Sequence, residues 1–177
     1  PWRRITDPYA IMVSEIMLQQ TQVERVLPKY LAFLERFPYI SSLAVAGLGD
    51  VLALWVGLGY NRRAKYLHAA AQIIVKNYAG QVPQDIQDLS LLPGIGKNTA
   101  AAIVAYAYNK PVVFVETNIR SVYMHHFFAS QNDVHDKDIS ELVQQTLDTE
   151  NPREWYWALM DYGTYLKKTH GNNIRQS

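Results

Sequence analysis

Apolar residues recur along this chain three and four positions apart, and convincing alternation at every second position is missing. The pattern predicts an all-α protein of two helical lobes. Asp7 is a suitable N-cap with Pro8 at the first helical position. The helix it opens runs to about residue 20, and Ile11, Met12, Val13, Ile16 and Met17 leave little of it for solvent. Glu15 stands inside that apolar run. A carboxylate there is either turned to a cleft or paired, because burial without a partner is costly. A second helix is expected over 21–37, with Val23, Val26, Leu27, Tyr30, Leu31 and Leu34 at helical spacing. Pro28 should kink it or limit its first turn. Short helices over 41–46 and 48–56 lead to a glycine turn, Gly57-Leu58-Gly59-Tyr60. A long amphipathic helix over 61–78 follows, stopping near Gly80 and Pro83, and Asp85 starts another short one.

Residues 91–100, Leu-Leu-Pro-Gly-Ile-Gly-Lys-Asn-Thr-Ala, read as a hairpin between helices. Pro93 cannot continue the helix before it, and Gly94 and Gly96 permit backbone angles closed to other residues. A run of strong helix formers restarts at Ala100 and continues to about Tyr108. Its N-terminus aims unpaired N–H groups and a positive dipole end beyond the turn, an arrangement suited to a phosphate, with Lys97 adding a cation. From spacing alone a plain glycine-capped helix turn is the commoner reading. Pro111-Val112-Val113-Phe114-Val115 is extended and apolar, either a lone strand or a buried connection that delivers Glu116-Thr117-Asn118 to a helix reaching Phe128. A polar loop over 133–137, a helix over 138–147 and a last helix over 152–168, with Trp155, Leu159 and Tyr162 on one face, complete the pattern. Gly171-Asn172-Asn173 reads as a frayed tail.

Composition narrows the class. The 177 residues are 49% apolar, enough for one large core or two small lobes. No apolar run approaches the roughly 20 residues of a membrane span, and no stretch reads as a signal peptide. The chain has no cysteine, which excludes disulfides, thiolate metal sites and an iron–sulfur cluster held by this chain. No metal and no cofactor are therefore expected, and a reducing cytoplasm fits. The net charge of +1 does not announce a nucleic-acid binder. Arg3-Arg4, Arg62-Arg63-Lys65 and Lys167-Lys168 are local basic clusters. His125-His126 lacks metal-ligand spacing, so a structural role is expected.

The hairpin L-P-G-I-G-K-x-T-A resembles that of the helix-hairpin-helix DNA glycosylases, the group of endonuclease III and the MutY-type adenine glycosylases. The resemblance extends in order through Trp2-Arg3, Ser14-Glu15-Ile16-Met17-Leu18-Gln19-Gln20-Thr21, Trp55-Val56-Gly57-Leu58-Gly59-Tyr60 and Met160-Asp161-Tyr162-Gly163, from Pro1 to about Lys168. It implies a catalytic region over 1–177 with a cleft between two lobes. One would be 22–128 with the hairpin, the other the first helix, 1–20, with the C-terminal helices, 129–177. It implies that Glu15 protonates the departing adenine from an apolar pocket. Glu116 would then support the positive sugar as an ionised carboxylate; a helix cap or a retuned site are the alternatives. Asn118 would bond near that carboxylate, or simply cap the helix. Gln20 and Tyr60 match residues that wedge into the duplex and contact the opposite base. Trp2 lies at the base pocket in the family, with Arg3 nearby. Gly94, Gly96, Lys97, Thr99, Arg62 and the basic clusters become candidate DNA contacts.

The chain departs from the family at informative places. Glu116 stands where aspartate is usual. Asn98 occupies the position of the Schiff-base lysine of the lyases, and Lys97, one place early, is turned about 100° around a helix, so strong lyase activity is not expected. Most members carry four cysteines after the last helix for a 4Fe–4S cluster; here Gly163-Thr164-Tyr165-Leu166-Lys167-Lys168 follows instead. Either this lineage lacks the cluster or the remaining sequence replaces it. The expectation is a monofunctional base-excision-repair glycosylase, acting on mispaired adenine in duplex DNA, monomeric, without membrane contact, in the cytoplasm or nucleoid. A T/G or U/G mismatch glycosylase and a non-catalytic damage-binding protein are the alternatives.

Overall fold

The computed structural model describes residues 5–131 and 133–170. Among them are ten α-helices and no strand, as the periodicity predicts. The chain divides into two compact units, Pro1–Tyr108 and Asn109–Ser177.

In the first unit α1 (Pro8–Leu18) is central, packed by α2 (Val23–Arg36), α5 (Arg62–Asn77) and α7 (Lys97–Tyr108). A helix enclosed this way must be apolar all round; Tyr9 to Met17 are buried apart from Glu15. The Asp7 carboxylate accepts from the Ala10 amide at 3.0 Å, the cap expected there. α1 stops at Leu18, short of residue 20, because Gln19 already leaves the helical region with ψ 111°, and Gln20 follows in a left-handed conformation, φ 55°. Pro28 does not fall in the first turn of α2; it sits exposed inside the helix, which continues past it to Arg36. The missing hydrogen bond costs about 3 kcal/mol. Full burial of Val26, Tyr30 and Phe33 offsets it, each such side chain contributing about 1.5–3 kcal/mol. Phe33 meets Phe37 and Trp55 edge-on, with ring centroids 5.1 and 6.2 Å apart. α3 (Ile40–Ala44) and α4 (Leu48–Trp55) lie on α5.

α6 (Ile86–Ser90), capped by Asp85, and α7 are joined by the hairpin and packed on each other. Leu92 and Ile95 are buried and hold the turn down, while Leu91 stays exposed. α7 starts three residues before the alanine run, at Lys97, because the Ala100 amide already bonds the Gly96 carbonyl at 2.8 Å.

In the second unit α8 (Thr117–Phe127) packs against α10 (Pro152–His170) and α9 (Asp136–Thr146). α9 starts two residues earlier than the loop residues suggest, since His135 and Asp138 form a capping box. The segment 111–115 is a connection rather than a strand, buried only at Phe114 and Val115, with Pro111 exposed. The Tyr156 hydroxyl donates to the Val112 carbonyl at 2.7 Å and accepts from the Phe114 amide at 3.4 Å, and its ring stacks on Phe114 at 4.2 Å. Pro152, Tyr156, Gly163 and Leu166 are the buried positions of α10; Trp155, Leu159 and Tyr162 share the neighbouring face, half-buried at the first two and exposed at Tyr162.

Candidate active site and nucleic-acid interface

Glu116 ends the extended segment and caps α8. One carboxylate oxygen accepts from the amides of Asn118 at 2.6 Å and Ile119 at 3.1 Å. Asn118 Oδ1 accepts a hydrogen bond from Lys167 Nζ at 2.8 Å, so the lysine of α10 closes the group. Burial pushes the Glu116 carboxyl above its ordinary range. That outweighs the two amide donors, the Lys167 charge and the Asn118 side chain, all of which favour the ionised form. The arrangement is a half-buried carboxylate fixed at a helix N-terminus, within reach of a cation and an amide side chain. Such a group can stabilise positive charge developing on a bound molecule. Gly163 makes the close packing possible: a Cβ there would lie 2.3 Å from the Asn118 carbonyl oxygen.

The first unit carries the remaining described candidates. Glu15 is the one partly exposed residue in the buried core of α1. Gln20 and Tyr60 are both exposed and both left-handed, at φ 55° and 48°. Lys97 and Asn98 are exposed in the first turn of α7. Gly94 takes φ +77° with its α-carbon against the Tyr66 ring, and Gly96 is open around its α-carbon. Thr99 accepts from the Gln19 side chain at 3.2 Å. Arg62 is exposed, whereas its neighbour Arg63 is buried, so that cluster is not a uniform surface patch. Trp2, Arg3 and the tail from residue 171 lie outside the described residues. Sequence reasoning missed Gln19, Arg63, Gly163 and Lys167 as site builders. Only a buried-arginine or close-glycine contact marks them, and neither leaves a trace in hydropathy.

Among the described residues no group of three or more His, Cys, Asp or Glu is placed to hold a metal ion. His126 instead pairs with the Tyr162 hydroxyl at 2.7 Å. An iron–sulfur cluster does not fit the residues of this chain, which offers no thiolate. No described helix is long and apolar enough to cross a membrane.

Helices joined by a glycine hairpin, with a capped carboxylate on a separate helix start, define a helix-hairpin-helix protein. Residues 13–148 match the HhH-GPD superfamily of base excision DNA repair proteins, and the chain belongs to that family. The adenine DNA glycosylase of Buchnera aphidicola subsp. Baizongia pistaciae is 36% identical over 170 residues, covering 94% of this chain and 48% of that protein. That of Mycolicibacterium smegmatis is 49% identical over 123 residues, covering 69% and 42%. The human adenine DNA glycosylase is 35% identical over 176 residues, covering 92% and 32%. The chain thus spans less than half the length of these relatives. Among solved structures, a thermostable thymine-DNA glycosylase superposes with a TM-score of 0.81 at 28% identity, covering 92% of this chain and 76% of that one. An endonuclease III–DNA complex gives 0.78 at 18% identity, covering 97% and 77%, a likeness of fold.

Proposed function

We propose that this chain is the catalytic region of a monofunctional DNA glycosylase that removes mispaired adenine from duplex DNA. The observation that carries the reading is the capped, half-buried Glu116 with Asn118 and Lys167 beside it. A neutral purine is a poor leaving group. Glu15 delivers the proton that makes it a better one, and ionised Glu116 stabilises the cationic sugar while Asn118 holds the attacking water. Asn98 supplies no amine for a Schiff base, so the abasic strand is left uncut. The monomeric state, the cytoplasmic or nucleoid location and the lack of a cofactor belong to this proposal. A second reading, thymine removal from T/G pairs, is favoured by the likeness to the thymine-DNA glycosylase.

The deciding experiment is a single-turnover assay on duplexes with A opposite 8-oxoguanine, A opposite G, T opposite G and U opposite G, with and without alkali. Adenine release cleaved only after alkali is expected, and Glu15→Gln should slow it by roughly 10²- to 10⁴-fold. Release of thymine or uracil alone moves the protein to the second reading. Tight binding with no release from any duplex makes it a damage sensor. Strand cleavage without alkali contradicts the monofunctional assignment.

The hairpin carries its own prediction. A methyl group at Gly94 would lie 2.8 Å from Tyr66 Cβ at a left-handed φ, so Gly94→Ala must displace the turn. Fluorescence anisotropy should show duplex binding weakened tenfold or more, about 1.4 kcal/mol. Unchanged affinity removes the hairpin from the interface.

A further inference from the structure

Arg63, the second residue of α5, is only 8% exposed. Its Nη1 donates to the carbonyls of Ile16 at 3.0 Å, Met17 at 2.8 Å and Gln19 at 2.6 Å. Its Nη2 donates to Thr21 Oγ1 at 2.9 Å and to the carbonyls of Leu58 at 3.3 Å and Gly59 at 3.1 Å. Three of these acceptors are carbonyls at the end of α1, which have no partner within the helix and carry its negative dipole end. The others lie in the two turns that present Gln20 and Tyr60. The guanidinium also faces the Trp55 and Tyr60 rings, 5.5 and 5.7 Å from their centroids. Both Nη groups are engaged by these acceptors, and Nε is buried without a partner among the described residues, so no donor of this guanidinium is exposed to a phosphate. Its work is internal.

Gln19 extends the same network in the other direction. Its main-chain carbonyl is held by Arg63, and its side-chain Nε2 donates to the Gly94 carbonyl and to Thr99 Oγ1, each at 3.2 Å. One chain of hydrogen bonds therefore joins the hairpin, the Gln20 turn and the Tyr60 turn. Both turns need this bracing, because a left-handed conformation at a residue with a side chain persists only where its surroundings impose it. The Trp55 indole adds a bond to the Gly59 carbonyl at 3.2 Å, and Arg25 reaches the Gly57 carbonyl.

We propose that Arg63, with Gln19, is a positioning hub that fixes Gln20 and Tyr60 relative to the hairpin, so that both side chains probe the base stack in register with the phosphate the hairpin anchors. The proposal rests on the reading of this chain as a duplex-probing glycosylase. A lysine cannot substitute, because a single ammonium has three donors and no planar fork to span six acceptors at the end of α1 and on two turns.

The test compares wild type, Arg63→Lys, Gln20→Ala/Tyr60→Ala and the triple variant. Hydrogen exchange should rise in Arg63→Lys over both 19–22 and 57–61. Affinity for the mismatch duplex should fall about tenfold, with that loss nearly absent in the Gln20→Ala/Tyr60→Ala background, where nothing is left to position. Should Arg63→Lys fail to fold, Thr21→Val removes a single acceptor and should show a smaller loss with the same dependence on Gln20. An affinity loss of equal size in both backgrounds, or exchange raised only within α5, overturns the hub. Failure of the wild type to bind or process any mismatch duplex counts against the glycosylase reading instead, and the exchange measurement still decides whether the two turns are coupled through Arg63.

Discussion

Glu116→Gln is expected to lower single-turnover base release by about 10²- to 10³-fold, the cost of removing one preorganised electrostatic group, while the folded protein becomes more stable at neutral pH. Both halves follow from one fact. Burial holds the Glu116 carboxyl above its ordinary range, so the fold favours its protonated form. The stability it contributes is fully present below the unfolded-state value, about 4.3 for glutamate, and is lost as pH rises through the higher folded-state value. Glutamine removes that loss and still offers a side-chain oxygen to the Asn118 and Ile119 amides. Under the proposed chemistry catalysis runs the opposite way, since there the ionised form is the one that supports the cation. The acid limb of the pH–rate profile should therefore lie above the ordinary carboxylate range. Lys167→Met removes a charge that favours ionisation, so it should move that limb higher still. Thermal melts from pH 4 to 8 beside the rate profile check both signs. A limb unmoved in Lys167→Met, with release still intact in Glu116→Gln, would take this carboxylate out of the chemistry. Glu116→Asp provides a calibration, restoring the shorter arm of the resembled enzymes at the cost of a reach that can matter a hundredfold per 1 Å or so.

Much of the fold is legible in the chain because helices such as α2 and α9 bury one stripe, α1 is apolar all round, and each cap is a local event. Asp7, Asp85 and Glu116 cap the helices their positions predict. The family, too, is legible, because its motifs are runs of adjacent residues. What escapes is the distinction between neighbours of the same kind. Arg62 and Arg63 are identical in hydropathy, yet one is solvated and the other is buried among carbonyls from two turns distant in the chain. Gln19 and Gln20 differ in the same way: one bonds the hairpin, the other stands exposed. Lys167 reads as half of a surface pair until α10 is laid on α8, where it reaches Asn118 and Lys168 does not share that bond. Local patterning places a residue on an element; only the meeting of elements selects which of two neighbours faces inward.

Gly163 is the extreme case, and Gly163→Ala is expected to be the most damaging methyl group that can be added to the second unit. Built there, a Cβ would lie 2.3 Å from the Asn118 carbonyl oxygen and 2.8 Å from both its carbonyl carbon and its Cβ. Two of those three atoms are backbone, so no rotamer change relieves the contact. α10 must move away from the first turn of α8, and Asn118, Glu116 and the Lys167 bond move with it. Overpacking of this kind costs about 1–3 kcal/mol, a sizeable share of a total stability of about 5–15 kcal/mol. A displacement of about 1 Å at the carboxylate would lower base release roughly a hundredfold. Gly49→Ala is the matched control. It adds the same methyl group inside α4 where nothing lies within 4 Å, and removing a helix-interior glycine should stabilise by roughly 0.5–1 kcal/mol. The two variants should thus move the melting temperature in opposite directions, and only Gly163→Ala should slow base release. If Gly163→Ala melts lower yet releases base at the wild-type rate, the packing of α10 on α8 serves stability alone, and the placement of Glu116 depends on the amides of its own helix.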